Sequence, residues 1–201
     1  MEPKVLKLAP SGIPIGWTSL KDAAIKMCSE TSDGGVLWAL GEDSFSLRGG
    51  FNSITGKRSD LRIPAIIAVN NAGESGKSNL FRGFNRDICK YREELKCAYC
   101  DKHFSVNHLT MDHIFPESRG GLWTMDNIIS ACVKCNNNKG NKTPAEAGMP
   151  LLVQPFIPTM AEVMFLCRQG KMLGIQYEYL REQFQHMEMR ESFKSFTDIA
   201  A

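Results

Sequence analysis

The feature that most constrains this chain is a pair of CxxC knuckles, Cys97-Ala98-Tyr99-Cys100 and Cys132-Val133-Lys134-Cys135, about thirty residues apart. Zinc takes four thiolate or imidazole ligands in a tetrahedron, and each knuckle supplies two from one tight turn. Buried core cysteines would give no reason for the paired spacing. The segment between the knuckles is too short and polar to hold itself together by burial, so zinc supplies the stability that a core otherwise would. Cys97, Cys100, Cys132 and Cys135 are therefore the expected ligands of a structural Zn²⁺. His103, close behind the first knuckle, could substitute, but four cysteines already fill the shell. The chain has seven cysteines, and the isolated Cys28, Cys89 and Cys167 read as ordinary small apolar residues.

No apolar run approaches the roughly 20 residues that a membrane span needs. The opening Met-Glu-Pro-Lys has no apolar stretch behind its charge, so no secretory signal is expected. With the cysteine pattern, this points to a reducing cytoplasm and to metal binding over disulfides. At 201 residues the chain can bury one good core, or a modest domain beside a small metal-held one. A net charge of +2 neither demands nor excludes a nucleic-acid partner, although bases outnumber acids from Leu80 to Thr143.

Three regions are expected. The first, residues 1–79, is a small mixed α/β region ending in a polar linker, Asn70 to Asn79. Within it Lys4 to Leu8, Gly35 to Leu40 and Ile63 to Val69 read as strands. Ser19 to Cys28 reads as a helix opened by Ser19 with Asp22 three positions on. Arg48 to Arg62 reads as a hairpin or exposed loops. The second region, residues 80–149, holds the chemistry. The third, residues 150–201, is helical: Thr159 caps Ala161 to Arg168, and Lys171 to Met187 follows, packed on the second region or on another copy. The linker's Asn70-Asn71-Ala72-Gly73-Glu74-Ser75-Gly76-Lys77-Ser78 imitates a phosphate-binding loop. Asn71 stands where that pattern needs its first glycine, so nucleotide binding is not expected.

Between the knuckles, Val106 to Ile114 is strand-like and contains Asp112-His113; Pro116 and Gly120-Gly121 form a loop. Asn127 follows, and after the second knuckle Asn136 and Lys139 lie on a helix that ends at Gly140. Strand, loop and helix clipped by zinc make a compact ββα unit. Asp112-His113, Pro116, Gly120-Gly121, Asn127, CxxC-Asn136 and Lys139-Gly140, in this order and spacing, resemble the HNH nucleases. The last histidine is replaced by asparagine, as in the endonuclease VII type of phage resolvase. The likeness runs from about Arg86 to Leu152, with Arg86-Asp87, Thr143-Pro144 and Glu146-Ala147 as shared flanks.

The resemblance implies an α+β protein with a zinc-stapled ββα-metal core. It also implies a DNA endonuclease that hydrolyses phosphodiesters with one Mg²⁺ or Mn²⁺, in a bacterial or phage-infected cell. Asp112 and Asn136 would hold the catalytic cation, which takes hard oxygen ligands. His113 would be the general base. Asn127 would tie down the loop without touching metal, and Arg119 and Lys139 are candidates for DNA phosphate contact. Neighbouring residues on a regular strand face opposite ways, so Asp112 and His113 share one phosphate only across the strand's edge or at a distortion. DNA is the implied partner; a homodimer through the C-terminal helices is allowed but not required. The competing reading is an inactive zinc-stapled DNA-binding module, which would have no need for Asp112, His113 and Asn136 together.

Overall fold

The computed structural model describes residues 2–42, 44–70, 85–168 and 171–187. The imitation phosphate-binding loop and most of the polar linker lie outside the described residues. In chain order the elements are β1 (Lys4–Leu8), β2 (Pro14–Ser19), α1 (Leu20–Cys28), β3 (Val36–Leu40), β4 (Phe45–Phe51), β5 (Arg58–Ile63) and β6 (Ile66–Val69). Then come α2 (Arg86–Arg92), β7 (Leu109–His113), β8 (Ile128–Cys132), α3 (Val133–Lys139), α4 (Met160–Arg168) and α5 (Gly174–Arg181). The fold class is α+β. The described residues fall into two compact units: residues up to 70 together with those from 159 onward, and residues 85–158.

The first unit is built on a sheet of order β2-β1-β6-β3, in which β1 and β6 run parallel and the outer pairs antiparallel. Every residue of β6 is buried, which is why its sequence is an unbroken apolar run instead of an alternation. The strand expected from Ile63 onward is in fact two: Ile63 ends β5, and Pro64, which has no N–H to donate, marks the break before β6. Strand β2, which starts on Pro14 and contains Gly16, carries no strand signal, yet its burial alternates as on a half-covered face. Helix α1 is capped as expected, with Ser19 Oγ accepting from the Asp22 amide at 3.0 Å. Its Ala23 and Ala24 pack on Val5, Ile63, Ile67 and Val69.

The C-terminal helices complete this same unit and are not a separate third region. Gln176, buried in α5, donates to the Lys4 and Ala65 carbonyls at 2.9 and 2.8 Å. Trp17 donates to the Met164 carbonyl at 3.0 Å. Thr159 caps α4 reciprocally with Glu162: its hydroxyl accepts from the Glu162 amide, and its own amide donates to the Glu162 carboxylate. That buried carboxylate also accepts from the amides of Gln185, His186 and Met187. These amides serve Glu162, and α5 stops at Arg181, short of the expected Met187.

In the second unit β7 and β8 pair antiparallel, from Leu109 opposite Cys132 to His113 opposite Ile128. Val106–His108, expected as strand, is a 3-10 turn leading into β7. Strand β8 is wholly buried and shows no alternation, so periodicity alone could not locate it. The unit extends beyond residue 149: the Leu152 amide donates to Ala98, and Arg92 reaches the Phe156 carbonyl at 2.7 Å.

Arg92 and Glu93 form a fully buried ion pair at the centre of this unit, 2.6 Å apart. The guanidinium also donates to the carbonyls of Met125 and Ile128, while Glu93 accepts from the Ser130 amide at 3.1 Å. One pair thus ties α2 to β8 and to the unit's last residues. Arg92→Met should strand the Glu93 carboxylate in the core and cost about 3–5 kcal/mol. Urea unfolding with zinc present measures this; an unchanged midpoint would remove the pair from its structural role.

Candidate active site

The two knuckles sit where β8 passes into α3 and in the turn that faces it. Cys132 ends β8 and caps α3, with its sulfur accepting from the Cys135 amide at 3.5 Å. The sulfurs of Cys97, Cys100, Cys132 and Cys135 all lie within 4.8 Å of one another. A tetrahedron with metal–sulfur bonds of about 2.3 Å needs roughly this packing, so the donor set fits zinc. Burial, the bond to Cys132 and the charge of Cys97 push the Cys135 thiol up. At Cys97 burial pushes up too, but the surrounding backbone amides outweigh it and leave the thiol below its ordinary value. Sulfurs crowded in this way oppose one another's ionisation, and a bound cation removes the conflict.

The clamp positions a second set of groups. Tyr99, inside the first knuckle, donates its hydroxyl to Asp112 Oδ2 at 2.6 Å. Burial, and then the neighbouring Asp112 carboxylate, push the phenol's pKa up, so it stays protonated as the donor. Lys139, at the end of α3, bonds Asp112 Oδ1 at 2.9 Å. Asn136 immediately follows Cys135. Its amide nitrogen donates to Thr110 Oγ1 at 2.9 Å and to the Met111 carbonyl at 3.3 Å, which fixes α3 along β7. With the nitrogen committed, its carbonyl oxygen is the atom left for a cation.

Asp112, His113 and Asn136 line one cleft of about 700 Å³. Asp112 and His113 both line it although they adjoin on β7, where His113 is the last residue. The His113 ring packs edge-on against Trp123 with centroids 4.5 Å apart, and the Arg86 guanidinium lies 5.5 Å over the same indole. Trp123 is fixed in turn by its bond to Glu117 at 2.9 Å. His113 Nε2 is buried with no hydrogen-bond partner among the described residues.

Asn127 closes the intervening loop: its Oδ1 accepts from the Phe115 amide at 2.9 Å, and its Nδ2 donates to the Phe115 and Leu122 carbonyls. The loop folds tightly enough that a Cβ on Gly121 would lie 1.9 Å from the Phe115 carbonyl oxygen. This close approach requires one of the paired glycines, and the left-handed φ of +96° at Gly120 favours the other.

Residues 97–152 match the HNH endonuclease family. This segment is similar to the nuclease module of that family. The chain is also similar to the CRISPR-associated endonuclease Cas9 of Corynebacterium diphtheriae, 37% identical over 60 residues, which cover 27% of this chain and 6% of that protein. The chain therefore spans only a small part of the length of the relative it matches.

Two expected phosphate contacts sit differently within this unit. Lys139 is only 1% exposed and is paired with Asp112, so it is no surface charge but part of the carboxylate's own shell. Its long stem lies in the interior because α3 packs on β7, and the buried carboxylate is the partner its charge requires there. Arg119 is half-exposed, paired with Glu146 at 2.7 Å and stacked on Phe115. A solvent-screened pair of that kind is weak and can exchange for a phosphate. Tyr99, Trp123 and the Arg92–Glu93 pair escaped the sequence reading. Only the place of Tyr99 between two of the clustered cysteines could have signalled its part.

Stripping metal from the four cysteines should collapse the second unit. Far-ultraviolet circular dichroism, followed while a thiol-reactive agent releases zinc, should show loss of structure in step with metal release. Retained structure after complete release would mean that the clamp is not what holds the module.

Proposed function

We propose that this protein is a metal-dependent DNA endonuclease that hydrolyses phosphodiester bonds at the cleft formed by Asp112, His113 and Asn136. The convergence of these three on one cleft, beside a four-cysteine clamp, carries the reading. An inactive DNA-binding module would have no use for an unpartnered buried imidazole nitrogen beside a buried carboxylate, which is costly to maintain.

Asp112 and the Asn136 carbonyl oxygen are the hard oxygen ligands for Mg²⁺ or Mn²⁺, and a carboxylate already holding Lys139 and Tyr99 retains lone pairs for a cation. When bound, the cation would neutralise the phosphate and assist the departing oxygen. His113 accepts the proton of the attacking water, and Trp123 keeps the imidazole from rotating out of reach. Asn127 holds the loop that forms the cleft's near wall and touches no reacting atom. Lys139 and Tyr99 are positioning residues: they hold the two oxygens of Asp112, so the carboxylate is set before substrate arrives.

Nicking of supercoiled plasmid in Mg²⁺ or Mn²⁺ tests this. His113→Ala should slow the reaction by about 10²–10⁴-fold without unfolding the protein, and EDTA should stop it. Tyr99→Phe should retain zinc and lower the rate constant by about ten-fold, the loss expected when a charged carboxylate gives up one hydrogen bond. Duplex binding without cleavage of plasmid, branched or single-stranded DNA would favour the binding-module reading.

A further inference from the structure

The hairpin of β4 and β5 has a composition that neither the core of its own unit nor the HNH module explains. Its base is anchored: Phe45, Leu47, Leu61 and Ile63 pack against the core of the first unit. Beyond that base every residue from Arg48 to Asp60 is exposed. This outer ribbon carries the two most exposed large apolar side chains among the described residues, Ile54 at 92% and Phe51 at 73%. Beside them are Arg48, Lys57 and Arg58, with Arg62 just below. The sole acid on either strand, Asp60, is already engaged by Ser46 and, at 3.6 Å, by Arg62.

The tip has a defined shape. The side-chain oxygen of Asn52 accepts from the amides of Ile54 and Thr55, both at 2.9 Å, and the Gly56 amide returns to the Asn52 carbonyl. Arg58 donates to the Gly49 carbonyl at 3.1 Å while its guanidinium lies over the Phe51 ring. Isoleucine is thus held at the end of a structured ribbon and flanked by cations. Leaving it in water forgoes burial energy, and this arrangement suits a partner that offers both negative charge and an apolar surface.

We infer that the β4–β5 hairpin is a duplex-DNA docking element, laid in a groove with Arg48 and Lys57 on phosphates and Ile54 against the base edges. A two-stranded ribbon is of the width that the major groove admits. Basic side chains on the backbone position such an element, and an apolar tip contributes at the base edges. The inference rests on the reading of this protein as a DNA nuclease, and it gives the first unit a part in holding the substrate that the HNH module cuts.

Fluorescence anisotropy with a labelled duplex, in the full zinc-loaded protein without Mg²⁺, tests it across a salt series. Arg48→Ala with Lys57→Ala should weaken binding about ten-fold or more and reduce the salt slope by about two. Ile54→Ser, at a fully exposed position, should weaken binding at an unchanged slope. Thermal melting confirms that both variants fold. Wild-type affinity and slope in the double variant would overturn the inference. So would tighter binding to single-stranded DNA than to duplex, or hairpin-dependent sedimentation with anionic vesicles in place of duplex binding. The two readings fail separately. A protein whose hairpin binds duplex but which never cuts loses the nuclease reading alone. One that cuts, and binds equally well without the hairpin charges, loses the docking reading alone.

Discussion

The candidate cleft depends on the closing of four sulfurs into one cluster. Cys97 and Cys100 bracket Tyr99, which bonds Asp112, and Cys132 and Cys135 lead directly to Asn136, which lines the cleft. Closing the clamp therefore does more than stabilise a short polar segment. It brings a phenol from one knuckle and an amide from the other against the same strand, β7. The helix that begins at the second knuckle also delivers Lys139 to the second oxygen of Asp112.

Such a module buries more charge than its size would suggest. Asp112, Lys139, Arg92 and Glu93 are all nearly inaccessible to solvent. Buried ions are tolerated only where each finds a counter-charge and its remaining polar atoms find partners. Both pairs meet that demand: Arg92 and Glu93 through backbone groups of β8 and its flanks, Asp112 through Tyr99 as well as Lys139. Among the described residues His113 Nε2 is the exception. A small unit that spends burial on ions instead of hydrocarbon has little other source of stability, which is why a metal clamp suits it.

How much of this was legible in the sequence followed from how local each signal is. The knuckles, the Ser19 and Thr159 caps, the hairpin and the Gly140 stop are written within a few residues, and the structure has them where local rules put them. The association of residues from 159 onward with the N-terminal sheet was not legible, because it rests on bonds such as Gln176 to Lys4 and Ala65, far apart in sequence. Lys139 read as a surface base for the same reason: its partner lies 27 positions away on another element. Strand β8 was hidden by its own burial on both faces. Asp112, His113 and Asn136 were recognisable through family likeness, whereas that all three line one cleft required the fold.

Anomalous diffraction from crystals of His113→Ala protein bound to duplex DNA and soaked in Mn²⁺ is the most direct measurement. Data at the zinc and manganese edges should show a zinc peak within the Cys97, Cys100, Cys132 and Cys135 cluster and a separate manganese peak between Asp112 and the Asn136 carbonyl oxygen. Manganese bound elsewhere, with Asp112 still held only by Lys139 and Tyr99 while DNA fills the cleft, would contradict a catalytic centre set in place by the cysteine clamp.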